Sequence, residues 1–549
     1  MSRSNFLEGC LMNRKSLSLH VAVTAALALT TAVPAWAGSA HWAATATGAH
    51  ALASDMEVHG AAALDTPVHV TIALKARNQA ELQKLAATAH APMSAQEVID
   101  EFAPTTAQVQ SVVDYLKGQG FTNISVSANR MLVSADGDAA RAQSAFHTSL
   151  VSVTTAHGRH AFANTSAAQV PSSIAGSVLS VIGLQTVARP HVMLQGQAGT
   201  QGLFGGGSHP SGTVTGHDPS EFPTIYDVGS TPAATSVNVG IISDGDMSAT
   251  LQDLNQFVAS HGLATPNVQI VYPGAQGTDT SGTAEWDLDS QDILAMSGGV
   301  NKLIFYAATS LSNSDLTAAF NKAVSDDQAQ VVNVSLGECE TSAYQDGSMA
   351  ADDQILAMGV AQGQTFSIST GDSGANECAS LPLGLGSLPF GSTPSYPASS
   401  PYVIAVSGTT VGTSSSNGWV DATLWSDAGG SPSTVEPKPS WQTQGDSMRD
   451  VADVAFDADP NSGSIIIVNG SNAQYGGTSL AAPLFAATWA RMLASHPGLG
   501  FAGPHLYSVS TSVYHDIVNG SNGAESASTG WDYASGFGSI DVSALNAQL

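Results

Sequence analysis

Basic side chains are scarce in this chain of 549 residues. Lys and Arg together number 16, against 44 Asp and Glu, and the formal net charge at pH 7 is −28. Proteins that bind nucleic acid or anionic membranes attract phosphate groups with basic patches. The composition therefore argues against both kinds of partner. An acidic surface loses charge as the pH falls, so the composition is compatible with a protein that works in acid.

Cysteine and long apolar runs are also scarce. The three cysteines are Cys10, Cys339 and Cys378, and none belongs to a Cys-x-x-Cys motif, so a structural zinc site is not expected. The apolar run at residues 21–33 is short for a membrane span, and no later stretch reaches that length without polar breaks. We therefore expect no membrane span in the mature protein.

Residues 1–37 have the pattern of an export signal, with Met12 as an alternative start. Arg14 and Lys15 precede the apolar run, and the small residues of Ala35-Trp36-Ala37 suit a cleavage site. We expect a secreted protein, located in the periplasm or the medium. Two cysteines in an exported protein pair more often than they stay free, which favours a disulfide between Cys339 and Cys378.

The chain is too long for a single hydrophobic core, and its pattern changes twice. Residues 38–194 alternate strand-like and helix-like segments, which predicts a small α+β domain. Residues 195–216 are rich in Gly, Ser and Thr and predict a mobile linker open to cleavage. In residues 217–549, β-branched apolar runs alternate with helical segments, which predicts an α/β domain with a parallel sheet.

A glycine-rich turn before an apolar helix supplies a candidate nucleophile. Gly476-Gly477-Thr478-Ser479 precedes a run of apolar residues from Leu484 to Ala490. Glycine allows close backbone approach, and a serine at a helix N-terminus lies among free N–H groups suited to developing negative charge. An ordinary N-cap serine is the alternative. The pattern Gly-Thr-Ser-x-x-x-Pro, which ends at Pro483, resembles both subtilisin-like and sedolisin-type serine peptidases.

A serine nucleophile needs a base, and a Ser-His-Asp arrangement is one possibility. Asp244 follows an apolar strand as a subtilisin aspartate does, but His261 lacks the threonine and helix that usually follow the catalytic histidine. Ser373, in Gly-Asp-Ser-Gly, resembles a chymotrypsin-type nucleophile, and we reject it because no matching His motif precedes it.

A pair of carboxylates is the other possibility. Glu285 and Asp289 are four residues apart on a predicted helix with one apolar side, so both project from one face. The alternative is a solvated acidic face. An exported protein with a serine-peptidase motif and no other base favours the catalytic interpretation.

Three motifs, in this order along the chain, resemble those of the sedolisin family of serine-carboxyl peptidases. They are Glu285-Trp286-Asp287-Leu288-Asp289, the Gly-Asp-Ser-Gly of residues 371–374, and Gly477–Pro483. The resemblance implies a subtilisin-like catalytic domain, preceded by a ferredoxin-like activation propeptide of the pro-kumamolisin type. It also implies that maturation cleavage falls in the linker.

The resemblance assigns the catalytic roles. Ser479 is the implied nucleophile, Glu285 its general base, Asp289 the residue that shares a proton with Glu285, and Asp372 the oxyanion-hole donor. Asp372 must be protonated to donate, and an unperturbed aspartate has a pKa near about 3.9, so an acidic optimum is expected.

The resemblance also assigns binding residues. Ser335, Leu336 and Gly337 resemble the backbone segment that pairs with a peptide substrate. A loop near the C-terminus resembles the family's calcium loop, and its implied ligands for one structural Ca²⁺ are Asp516, Ile517, Ser528, Gly530 and Asp532. Ser528 stands where the family often has glycine. The two cysteines resemble a disulfide of some bacterial members.

Together these features predict a secreted, monomeric, acid-acting endopeptidase that is made as a self-processing zymogen. Polypeptides are the expected substrates, and the chain's own propeptide is the expected inhibitor. Two alternatives stay open from the residues alone, namely a subtilisin-type Ser-His-Asp peptidase and an inactive secreted binding protein of the same fold.

Overall fold

The computed structural model describes residues 41–52, 56–196, 209–380 and 392–549. The predicted export signal and residues 197–208 of the predicted linker lie outside these ranges. Within them, no helix is long and apolar enough to cross a membrane.

The N-terminal region is built on antiparallel sheets. A four-stranded sheet has the order β4-β5-β3-β9, β2 pairs with β6 and β6 with β7, and β1 pairs with β8. The strands are β1 (Trp42–Ala44), β2 (Glu57–Ala61), β3 (Pro67–Leu74), β4 (Thr122–Val126), β5 (Leu132–Asp138), β6 (Leu150–Thr154), β7 (His160–Asn164), β8 (Gln169–Pro171) and β9 (Val178–Ile182). The helices are α1 (Gln79–Ala86), α2 (Ala95–Phe102), α3 (Thr106–Gly118) and α4 (Ala139–Ala145).

Local sequence signals explain where these helices begin. Ser94 and Glu97 form the reciprocal capping box that their spacing predicts, and it fixes the start of α2. Thr105 and Gln108 form a second box at the start of α3. Apolar residues of β3, α3 and β5, such as Val70, Val112 and Val133, form a buried core between the helices and the sheet.

Two short strands follow this region, β10 (His191–Val192) and β11 (Gln195–Gly196). They pair with strands of the C-terminal region and not with the N-terminal sheets. At the other end of the predicted linker, Thr213 forms a bridge with Thr413. Both described ends of the predicted linker are therefore hydrogen-bonded to the C-terminal region.

The C-terminal region contains an eight-stranded, mainly parallel sheet. Its order is β13-β14-β12-β15-β17-β19-β20, with β23 beside β19. The strands of this region are β12 (Asn238–Asp244), β13 (Val268–Val271), β14 (Lys302–Ala308), β15 (Val331–Val334), β16 (Leu336–Cys339), β17 (Thr365–Ser369), β18 (Ser395–Tyr396), β19 (Ile404–Thr413), β20 (Trp419–Leu424), β21 (Ser431–Pro437), β22 (Met448–Val451), β23 (Val454–Asp457), β24 (Ser464–Val468), β25 (Ser471–Gly476), β26 (Tyr514–His515) and β27 (Ser539–Ile540). The predicted α/β fold with a parallel sheet and a preceding small domain is confirmed.

Helices surround this sheet, as expected for parallel strands buried on both faces. They are α5 (Phe222–Ile225), α6 (Ser248–His261), α7 (Thr283–Ser297), α8 (Asn313–Asp326), α9 (Glu340–Asp346), α10 (Ser348–Ala361), α11 (Thr478–Ser495), α12 (Gly503–Leu506) and α13 (Val542–Gln548). The disulfide between Cys339 and Cys378 is present, with the sulfurs 2.00 Å apart, and it joins the end of β16 to the segment after residue 374.

Helix α7 differs from its predicted form. We predicted one apolar side, but the helix is buried almost throughout, including Glu285, Asp287, Asp289 and Asp292 at 0% exposure. Helices α6 and α11 and strand β24 cover its acidic residues. The solvated acidic face that the spacing alone allowed is therefore absent, because residues far along the chain exclude solvent from the carboxyl groups.

Candidate active site

Ser479 lies at the start of α11, where its sequence places it. Gly477 precedes the helix with a φ of 97°, a left-handed conformation that favours glycine. The Ser479 side chain is fully buried, and its hydroxyl donates to Oε2 of Glu285 at 2.9 Å. The hydroxyl oxygen also lies 3.3 Å from the carbonyl oxygen of Ser335. The candidate nucleophile is thus in direct contact with the candidate base.

The carboxyl groups of Glu285 and Asp289 form a buried pair one helical turn apart on α7. Burial raises the pKa of Glu285 well above its ordinary value, and the negative charge of Asp289 raises it further. Burial also raises the pKa of Asp289. Oε1 of Glu285 and Oδ2 of Asp289 have no hydrogen-bond partner among the described residues. Two such groups cannot both ionise easily, so the pair retains a proton well above ordinary carboxyl pKa values.

Ser335 connects this pair to the strand that follows β15. Its hydroxyl donates to Oδ1 of Asp289 at 2.6 Å and accepts from Nδ2 of Asn333 at 3.0 Å. From the sequence we expected only a backbone role for Ser335 and no role for Asn333. The available signal was an amide side chain in the otherwise apolar strand Val331–Val334.

Asp372 lies beside the same helix start. Its Oδ1 accepts hydrogen bonds from the backbone N–H of Thr478 at 2.8 Å and from the Thr478 hydroxyl at 2.9 Å. Its Oδ2 is buried without a hydrogen-bond partner among the described residues. Burial raises the pKa of Asp372 to about 7, so at acid pH the carboxyl is protonated and can donate. Thr478 orients this carboxyl, a role that its place in the sequence does not predict.

The predicted substrate-binding residues lie against the chain's own segment 191–193. Strand β10 pairs antiparallel with β16, so that His191 lies opposite Gly337 and Val192 opposite Leu336. The backbone N–H of Met193 donates to the carbonyl oxygen of Ser335 at 3.2 Å. The edge that we predicted to bind peptide is therefore occupied by peptide from the N-terminal side.

The residues of the Ser-His-Asp alternative are engaged elsewhere. Nε2 of His261 lies 2.9 Å from Oδ2 of Asp218, and its Nδ1 lies 2.8 Å from the carbonyl oxygen of Phe257. Asp244 is buried near Asp279 and Asp315, and burial raises its pKa to about 6. Among the described residues, the hydroxyl partners of Ser479 are Glu285 and Ser335 and include no imidazole.

The predicted calcium ligands belong to one loop near the C-terminus. The backbone N–H of Gly530 donates to Oδ2 of Asp516 at 2.9 Å, and that of Ser528 donates to Oδ2 of Asp532 at 2.7 Å. Ile517 is fully buried. Both aspartates therefore accept hydrogen bonds from the segment 528–530, and the set supplies only the oxygen ligands that Ca²⁺ prefers.

Comparison with known proteins agrees with this arrangement. The pro-kumamolisin activation domain model matches residues 54–187, and the subtilase family model matches residues 205–538. Sedolisin of Pseudomonas sp. (strain 101) is 42% identical, with 96% of each chain covered. Xanthomonalisin of Xanthomonas sp. (strain T-22) is 41% identical, with 88% of this chain and 65% of the relative covered.

A solved structure of the same family is also similar to this chain. The structure of Pseudomonas sedolisin, described as a serine-carboxyl proteinase in complex with two molecules of pseudo-iodotyrostatin, is 44% identical with a TM-score of 0.59. The match covers 61% of this chain and 98% of that chain. The chain is therefore a subtilase-fold peptidase with an N-terminal activation domain. Within that class it belongs to the sedolisin family, the serine-carboxyl peptidases.

Proposed function

We propose that the protein is a secreted endopeptidase that works in acid and uses Ser479, Glu285 and Asp289 as its catalytic triad. The contact of 2.9 Å between the Ser479 hydroxyl and Glu285, inside a buried site, is the observation that carries this proposal. Secretion rests on the signal pattern of residues 1–37. An extended segment of the chain is paired on both sides of Ser479, since β10 pairs with β16 and β11 pairs with β25. A cleft that holds peptide on both sides supports cleavage within a chain and not only at its end.

Each group then has one chemical role. Glu285 takes the hydroxyl proton as Ser479 attacks the peptide carbonyl carbon, and it later gives that proton to the leaving amine. Asp289, held by the Ser335 hydroxyl, carries the proton that the pair retains, so that Glu285 is the ionised partner and can act as the base. The protonated Asp372 and the backbone N–H of Ser479 stabilise the oxyanion.

The decisive experiment measures hydrolysis of a denatured protein substrate at acid and neutral pH. Ser479→Ala is expected to abolish activity, and Glu285→Gln to lower kcat by about 10²–10⁴-fold, the usual contribution of a general base. Asp292→Asn is the matched control, because Asp292 is equally buried on the same helix and contacts Ser464. Full activity of Glu285→Gln, or loss of activity in His261→Ala, would contradict the assigned base.

We also propose that the loop of Asp516, Ile517, Ser528, Gly530 and Asp532 binds one Ca²⁺, which when bound would cross-link the loop. The oxygen-only ligand set supports this. Calcium at about 100 times its Kd is expected to stabilise the Ser479→Ala protein by about 2.7 kcal/mol, seen as a rise in Tm that a chelator reverses. Asp532→Asn should lose this response, and an unchanged Tm of the parent protein with calcium would contradict the site.

A further inference from the structure

The chain itself crosses the catalytic serine as an extended peptide. Upstream, β10 pairs with β16, and downstream β11 pairs with β25, where Gln195 lies opposite Gly476. Both pairings are antiparallel. Met193 and Leu194 lie between the two strands and therefore next to the turn that carries Ser479.

The carbonyl group of Met193 lies where a reacting carbonyl is needed. Its oxygen accepts a hydrogen bond from the backbone N–H of Ser479 at 3.1 Å. A Cβ atom added to Gly477 would lie 2.1 Å from this oxygen, 3.0 Å from the Met193 carbonyl carbon and 2.6 Å from Oδ2 of Asp372. The two oxygens thus share the space beside Gly477. Two acceptors placed side by side repel each other unless one carries a proton, and a protonated Asp372 would donate to Met193.

Side-chain contacts fix the register of this segment. Met193 is 1% exposed. Its Cε lies 3.2 Å from the point that a Cβ atom on residue 337 would occupy, so the Met193 side chain fills the space left by Gly337. Nε2 of His191 lies 3.2 Å from Oε1 of Glu377, and the Glu377 side chain is 1% exposed. A slip by one residue would turn both side chains to the opposite face of the strand and break these contacts.

We propose that the first maturation cut is made by Ser479 within its own chain, at the peptide bond between Met193 and Leu194. This rests on the proposed function. The bond lies immediately before residues 195–216, the Gly-rich segment whose composition predicts a linker open to cleavage. The first product then begins at Leu194 and still carries those residues at its N-terminus.

The reaction balances with groups already in place. The Ser479 oxygen bonds to the Met193 carbonyl carbon while Glu285 takes the hydroxyl proton, and the electron pair of the C=O bond moves to the carbonyl oxygen. Collapse breaks the bond between Met193 carbon and Leu194 nitrogen, and Glu285 protonates the nitrogen. Water then adds to the acyl carbon, giving one proton to Glu285, which passes it to the departing Ser479 oxygen, and Met193 is released with a free carboxyl group.

The test follows the purified full-length zymogen after a shift from neutral to acid pH, with N-terminal sequencing and intact mass at early times. We expect Leu194 as the first new N-terminus, with a rate constant that does not change on dilution. Leu194→Pro is expected to abolish this cut, while Leu194→Ala retains it. The backbone N–H of Leu194 makes no backbone hydrogen bond among the described residues. The substitution by proline, which lacks this N–H, therefore removes no such bond.

Three results would overturn the proposal. They are a first N-terminus at another residue, a first cut whose rate constant rises with protein concentration, and unchanged cleavage between residues 193 and 194 in Ser479→Ala. If the acid-treated protein hydrolyses an added denatured substrate while its first cut lies elsewhere, only the assignment of the bond fails. If it cleaves neither itself nor the substrate, the proposed function fails as well.

Discussion

At the scale of single residues, the proposed mechanism makes the protonation of Asp372 set the upper end of the pH range of activity. Burial raises its pKa to about 7, so the donor form is present below that pH and is lost as the pH rises through it. Asp372→Ala removes the donor and is expected to lower kcat by about 10²–10³-fold.

The matching variant Asp372→Asn keeps an N–H donor at every pH. We expect it to retain more activity than Asp372→Ala and to shift the alkaline limb of kcat/KM to higher pH. Initial rates over the full pH range, with stability checked in parallel, measure this effect. An alkaline limb that coincides in Asp372→Asn and in the parent enzyme would show that another group sets it.

The candidate site also shows which residues a sequence can reveal. Ser479 and Glu285 stand in motifs whose residue types and spacing suggest their chemistry, whereas the role of Asp372 came from the resemblance to the sedolisin family. The structure brings the three together from separate segments. Asn333 and Thr478 act through contacts made by folding, and nothing in their spacing predicts these partners. Sequence therefore located the reacting groups better than the residues that orient them.

At the scale of elements, helix α10 and strand β21 are joined by two carboxyl groups, those of Asp353 and Glu436. Burial raises the pKa of both, and a side-chain hydrogen bond joins them, which requires a proton. Oδ1 of Asp353 also accepts from Ser400 at 2.6 Å. Because both pKa values lie above those of the unfolded chain, the pair stabilises the fold fully below about pH 4 and progressively less as the pH rises through the raised values.

Glu436→Gln tests this pair, because an amide can donate to Asp353 without a proton. We expect the variant to lose less stability than the parent between about pH 4 and about pH 8. Its Tm near neutral pH should exceed that of the parent, by about 1 °C for each kcal/mol recovered in a chain of 549 residues. The measurement is the Tm as a function of pH for Glu436→Gln and for its parent, both carrying Ser479→Ala. Parallel Tm curves would contradict a shared proton.

Element boundaries and element environments differ in how far sequence determines them. Helices α2 and α3 begin at the capping boxes of Ser94 and Thr105, which are local signals because a cap depends on neighbours within a few residues. The burial of α7 could not be predicted in this way, because its cover includes β24 and α11, more than 150 residues later in the chain. Local chemistry fixed the ends of helices, and long-range packing fixed what their faces contact.

At the scale of the whole molecule, the N-terminal region docks on helices α8 and α10. Gln354 of α10 accepts from the backbone N–H of Ala76 at 2.6 Å and donates to the carbonyl oxygen of Leu74 at 2.8 Å. Asn129 and Asn321 of α8 exchange hydrogen bonds of 2.7 and 3.1 Å in a buried contact. These polar contacts are specific to the docked state and must break when an activation domain departs.

Gln354→Ala is therefore expected to weaken docking, because it leaves the buried N–H and carbonyl groups of the N-terminal region without their partner. Each unsatisfied group costs about 1–3 kcal/mol. After the chain is cut, the N-terminal fragment should dissociate faster, so the lag before activity appears at acid pH should shorten. The activity finally reached should equal that of the parent, because Gln354 is not part of the candidate site. The control is Gln110→Ala, since Gln110 is exposed on α3 and its side-chain amide donates to Asp114 of the same helix. An unchanged lag in Gln354→Ala, or an equal shortening in Gln110→Ala, would show that these hydrogen bonds do not limit release.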